Sequence, residues 1–160
     1  MQLVRMDHPD EELLFGMYAA VYRRSFEQWG LGERETNQIL QLQYRAKSMS
    51  YRNQYPQAID FLIDLDNEAA GIAIVHEGTT LLSLIDLMVL PHFQRLGLGT
   101  QVIRLLQSEA QQRDIPVKLH VDVSNTNAYN WYVRMGFEEV SSTLTHHEMI
   151  WNPNGDSLGP

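Results

Sequence analysis

The short run Gln2-Leu3-Val4-Arg5-Met6, with apolar residues at 3, 4 and 6, predicts a first strand at a sheet edge. Residues 7–10 supply turn and capping groups, and Pro9 suits a helix start. Leu13, Leu14, Met17, Ala20 and Val21 then recur at helical spacing and predict one buried face of an amphipathic helix. The period fades over 28–32, where Gly30 and Gly32 permit a turn. A longer helix is predicted over 33–54 and is stopped by Pro56. It carries two neighbouring stripes: Ile39, Leu42, Ala46 and Met49, and beside them Leu40, Tyr44, Tyr51 and Tyr55. The tyrosine stripe either packs on a sheet or lines a pocket.

Strands follow over 58–65 and 71–75, joined at Asp66-Asn67-Glu68, and Gly78-Thr79 leads into an apolar strand over 81–90. After the segment 91–100, Val102, Ile103, Leu105, Leu106 and Ala110 mark a helix that ends before Pro116. Strict alternation over 117–123 predicts a strand. Residues 141–151 lack a helical period and are rich in β-formers, which predicts a last strand. Residues 152–160 have no apolar face and are expected to be a disordered tail beyond a single domain over 1–151. The predicted order is β-α-α-β-β-β-α-β-α-β, a mixed α/β (α+β) chain.

The chemistry concentrates at Pro91-His92-Phe93-Gln94-Arg95-Leu96-Gly97-Leu98-Gly99-Thr100. A strand feeds a glycine-punctuated turn that opens a helix, and the unpaired N–H groups of a helix start form an anion site. Gly97 and Gly99 lack a Cβ, so a phosphate can approach the main chain. No lysine makes this a Walker loop, and Val102 stands where a dinucleotide fingerprint needs its third glycine. Gln94-x-x-Gly97-x-Gly99 resembles instead the Q/R-x-x-G-x-G/A signature of the GNAT superfamily of N-acetyltransferases. A second block is similar to that family's other signature: Asn125-x-x-Ala128, then Tyr132, then Gly136-Phe137. The spacing of Leu42-Gln43-Tyr44, Ala46, Tyr51 and Tyr55-Pro56 resembles a subset of small bacterial members.

The resemblance implies a strongly bent mixed sheet with helices on both faces, and acetyl-coenzyme A as co-substrate. It implies that the main chain of Gln94, Arg95, Leu96, Gly97, Leu98, Gly99 and Thr100 holds the pyrophosphate. Met88 and Val89 would bind the pantetheine arm like an added strand and offer an N–H to the thioester carbonyl. Tyr132 stands where the family places a general acid for the leaving thiolate; the alternative is a core tyrosine beside Trp131. Asn125 either fixes the cofactor arm or caps a helix. For the acceptor's proton, Asp86 is an acid inside an apolar strand, which points to a cleft or to a buried partner. His120, with Lys118 and Asp122 on its face, is the rival base.

Composition narrows this further. The net charge of −8 disfavours nucleic acid, which needs clustered cations, and would attract a cationic acceptor. No cysteine is present, so disulfides and a thiolate nucleophile are excluded and direct transfer is expected. No apolar run reaches the ~20 residues of a membrane span, and a cytoplasmic protein is expected. His146 and His147 are adjacent in a strand and face opposite ways, so no metal site is expected. The expected activity is acetyl transfer to a primary amine of a small molecule or peptide, by a monomer or homodimer. The alternatives are a non-catalytic acyl-CoA-binding module and a transferase of another acyl group.

Overall fold

β1 (Gln2–Met6) pairs antiparallel with β2 (Ile59–Leu65), and as an edge strand it leaves Val4 43% exposed. The structure is a computed structural model and describes residues 1–155. β2 turns into β3 (Glu68–Glu77) through Asp66 and Asn67, at φ 52° and 67°. Positive φ at both central residues is what a two-residue hairpin needs to match the twist of its strands. The seven strands are hydrogen-bonded in the order β1-β2-β3-β4-β5-β7-β6, with four α-helices flanking the sheet. This is the mixed fold expected from the sequence.

Contacts divide the chain into two units. The first comprises Met1–Ile74 and Asp86–Gly99. Here α1 (Glu11–Glu27) starts at Asp10, whose carboxylate accepts from the Glu12 and Leu13 amides at 3.1 and 3.2 Å, with Pro9 one residue outside the cap. α2 (Glu33–Gln54) has the predicted bounds and ends before Pro56. α1 is rotated from the face that periodicity suggested, and α2 buries the second of its two expected stripes. On α1 the buried residues include Leu14, Met17, Tyr18 and Ala19, while Leu13 and Ala20 are exposed. On α2 the buried line is Thr36, Leu40, Ser48 and Tyr51, and Leu42, Ala46 and Met49 face out. Cross-links explain the choice. Tyr44 donates to Glu11 at 2.6 Å, Arg23 to Asn37 at 2.6 Å and Tyr18 to Gln43 at 3.3 Å. Asp60 of β2 is buried and held by Arg52 at 2.9 Å.

The second unit comprises Val75–Ile85 and the chain from Thr100 onward. Most of α3 (Leu98–Arg113), β5 (Val117–Asp122) and α4 (Thr126–Arg134) lie here around Val102, Ile103, Leu119 and Phe137. The expected last strand is a hairpin, β6 (Glu138–Ser142) and β7 (His146–Trp151). Thr143 bridges its turn, accepting from the amides of Thr145 and His146. β7 takes the inner place beside β5, and β6, exposed along its length and carrying Glu138 and Glu139, forms the edge. The β5 neighbour on the other side, β4 (Leu82–Val89), runs parallel and pairs over three positions, from Leu82↔Val117 to Leu84↔Leu119. The tail expected over 152–160 lies outside the described residues from 156 on.

Candidate active site

The loop after β4 is built by main-chain and side-chain ties to the strand itself. Leu90 N–H donates to Ala70 O at 2.8 Å, and Pro91–Phe93 form one 3-10 turn. The Gln94 side chain then reaches back and donates to Val89 O at 3.0 Å, so the first signature residue clamps the loop. Arg95 and Gly97 have φ of 68° and 78°, the left-handed backbone that gathers N–H groups into a concavity. A Cβ at Gly97 would meet nothing within 4 Å. Glycine is therefore favoured there by φ and leaves open space above the main chain, not a packed contact. α3 begins at Leu98, and its first amides have no intrahelical acceptor. Leu98 is buried and anchors the turn, whereas Gln94, Arg95 and Leu96 are exposed and Gly99 and Thr100 are partly covered. A phosphate group fits this cradle: the donors are main-chain N–H groups and the approach is clear.

Met88 and Val89 are held from the other side by Gly71 of β3. A Cβ at Gly71 would strike the Met88 carbonyl and lie 3.0 Å from Val89 Cα. The close approach of the two strands here needs a residue without a side chain.

Asp86 is not a lone carboxylate. Its side chain is 14% exposed, and its Oδ2 lies 3.1 Å from Lys47 Nζ of α2. Oδ1 accepts from the Leu87 amide at 3.0 Å. Lys47 Nζ also lies 5.7 and 5.8 Å from the ring centroids of Tyr18 and Tyr22 on α1, within cation–π range. Burial pulls the Lys47 ammonium down, but Asp86 and the two phenols outweigh it, and the net direction is up. Burial raises the phenols of Tyr18 and Tyr22 and, with the Asp60 charge, pushes Tyr51 up to about 12, so all three are neutral at neutral pH. The adjoining cavity, bounded by Leu14, Tyr18, Tyr44, Tyr51, Ile72, Asp86 and Met88 among others, holds about 20 Å3, space for one water. Sequence reasoning missed Lys47. Its signal was there: at one and two turns from Leu40, Tyr44 and Tyr51 it stands in the middle of the buried stripe, where a lysine requires a partner.

In the second unit, Asn125 Oδ1 accepts from the Ala128 amide at 3.1 Å and so caps α4, the second of the two roles open to it. Tyr132 is half-buried, with ring contacts to Trp131 at 4.9 Å and Phe137 at 5.7 Å. Beyond the end of α4 the chain turns at Gly136, with φ 97°, and Phe137 enters the core at 2% exposure. His120 lies opposite Glu148, its Nε2 3.7 Å from Oε1, and Lys118 Nζ is 3.8 Å from the same oxygen. Ser141 Oγ donates to the other Glu148 oxygen at 2.9 Å. Burial takes the His120 imidazole below its usual value; Glu148 opposes this, and Lys118 and His146 add to it. His147 pairs with Glu139 instead of with His146, and no cluster among the described residues has the make-up of a metal site.

A mixed sheet with a glycine turn between a strand and a helix is the frame of a class of coenzyme-A-dependent transferases. The model of the acetyltransferase (GNAT) family matches residues 19–137, and the chain belongs to this family. No curated protein matches the chain in sequence. Among solved structures it is similar to the PaiA N-acetyltransferase of Thermoplasma acidophilum in complex with coenzyme A (TM-score 0.68, 12% identity, 95% of this chain and 99% of that one). An acetyltransferase from Thermus thermophilus gives a TM-score of 0.67 at 18% identity, over 94% and 96% of the two chains. A GNAT family acetyltransferase from Elizabethkingia anophelis with acetyl-CoA bound gives 0.56 at 14% identity, over 64% and 82%. At these identities the likeness is one of fold.

Proposed function

We propose that this protein transfers the acetyl group of acetyl-coenzyme A directly to a primary amine of a small molecule or peptide. The observation that carries the reading is the loop 94–100: left-handed φ at Arg95 and Gly97, clear space over Gly97, and the open amides of α3. These main-chain donors suit a pyrophosphate and depend little on side chains. The short β4–β5 ladder, which ends at Leu84, supports a role for the later main chain of β4. There Met88 and Val89 would take an extended arm as an added strand and aim an N–H at the thioester oxygen.

In the step itself the amine nitrogen bonds to the acetyl carbon as the carbon–sulfur bond breaks. Tyr132 gives its phenolic proton to the leaving sulfur. A thiol of pKa about 8.5 leaves fairly well unaided, so this contribution is moderate. An acceptor amine arrives mainly as its ammonium and must lose a proton. Asp86 is the group assigned to meet it, because this carboxylate already pairs with an ammonium beside aromatic faces. His120 remains the comparison residue. The test is thiol release by the purified protein with acetyl-coenzyme A against a panel of alkylamines, amino-terminal peptides and amine-bearing antibiotics. Amine-dependent release with a mass gain of one acetyl on the acceptor is expected. Coenzyme binding without release by any amine would favour the acyl-CoA-binding alternative, and release only with longer acyl thioesters would change the donor.

A further inference from the structure

The acceptor side of this site is already filled. Lys47 reaches from α2 to the β4 carboxylate Asp86 and lies against Tyr18 and Tyr22, and the cavity beside it holds about 20 Å3. That cavity admits little more than a water beside Asp86 unless a side chain leaves. Leu14, Tyr18 and Met88 are nearly fully buried and packed. Lys47 differs: its side chain is 37% exposed, and a flexible four-carbon stem lets its charge swing into water. The exchange has a condition. Asp86, at 14% exposure, is costly to leave without a cation, so whatever displaces Lys47 must bring a positive charge of its own.

We propose that the Lys47 ammonium is a resident stand-in for the acceptor's: a primary alkylammonium binds by replacing it at Asp86, with its charge over the Tyr18 and Tyr22 rings and its chain against Leu14 and Ile72. This deepens the acetyltransferase reading and rests on it for the identity of the acceptor. The exchange keeps the carboxylate paired at every stage, so it selects for charge before shape. A neutral molecule of the same length finds Lys47 in place and nothing to trade. The acceptor class that follows is a protonated primary amine on an aliphatic stem, and anionic or uncharged nucleophiles are refused.

The test is a titration with n-butylamine, protonated at neutral pH, with 1-butanol as the uncharged match. Affinity is read from the ring signals of Tyr18 and Tyr22 by NMR, without any thioester present. The amine is expected to bind at least about tenfold more tightly than the alcohol, and Lys47→Met to tighten amine binding by about tenfold, since an internal competitor is gone. Equal affinities for amine and alcohol, or a Lys47→Met protein that binds the amine no better than the parent, overturn the proposal. If Lys47→Met does not fold, Lys47→Arg decides: its fork grips Asp86 harder and should weaken the amine by about tenfold. Unchanged affinity in that variant overturns the proposal equally. Because no acetyl donor is used, a failure of thiol release counts against the proposed function, while unmoved tyrosine signals count against this inference alone.

Discussion

Asp86 and His120 are both titratable groups on strands, and their surroundings differ in a way that separates their chemistry. Asp86 sits low among apolar and aromatic side chains and is paired with a lysine from a distant helix. His120 is 46% exposed and belongs to a polar strip whose partners come from its own and the adjacent strand, with Glu148 at the centre. Burial acts on both with opposite consequences. A buried carboxylate has to acquire a cation, so Asp86 is a ready-made ammonium site. A half-buried imidazole is driven toward its neutral form, so His120 can accept a proton without binding a cation.

The bluntest break removes the donor from both. Gly97→Asp puts a carboxylate into the open space above the loop and should abolish coenzyme A binding by calorimetry, while Gly97→Asn, which tolerates left-handed φ, should lose far less. Tyr132→Phe keeps the ring contacts to Trp131 and Phe137 and should lower kcat by roughly tenfold to a thousandfold in single-turnover assays. An unchanged value there would leave Tyr132 as a packing residue only. Gly71→Ala drives a methyl group into the Met88 carbonyl without touching either candidate base. A stability loss of about 1–3 kcal/mol and a weaker coenzyme are expected, by melting and titration. Asp86→Asn should raise KM for an alkylamine about tenfold near neutral pH, with relief toward pH 10 as the free amine becomes common, while His120→Gln changes it less than about threefold. The reverse pattern would make His120 the base and Asp86 a counter-ion to Lys47.

The smallest effect concerns stability. His120 is held below its usual pKa, so below about pH 6.5 the unfolded chain takes up a proton that the folded one resists. Its contribution is therefore intact above that pH and lost as pH falls through the folded-state value. Melting curves of His120→Gln should show a shallower decline from pH 7 to 5 than those of the parent.

Much of the strand–loop–helix segment around 82–113 was legible because it is local. A strand, a glycine turn and a helix start lie within a dozen residues, and Gly97 and Asn125 act through φ and capping, which depend on neighbours in the chain. The bounds of α2 and the presence of a turn after β2 were readable for the same reason, although β3 begins at Glu68, inside the expected Asp66-Asn67-Glu68 turn. The last hairpin was not, because the Thr-rich run at 141–145 suits strand and turn alike and only the bridge at Thr143 separates them.

The amino-acid sequence by itself determined the element order as far as α4, the glycine turn at the head of α3 and the family. Tertiary structure decided which stripe of each helix faces inward and which cation meets Asp86. Two adjacent apolar stripes on α2 are equivalent to periodicity, and the choice between them was made by ties to α1 such as Tyr44 to Glu11 and Arg23 to Asn37. Once Leu40 and Tyr51 turn inward, Lys47 must turn inward with them, and the buried carboxylate of β4 supplies the charge that burial requires. Periodicity gives the spacing of side chains around a helix, but its rotation against the sheet is set by contacts between residues far apart in the chain.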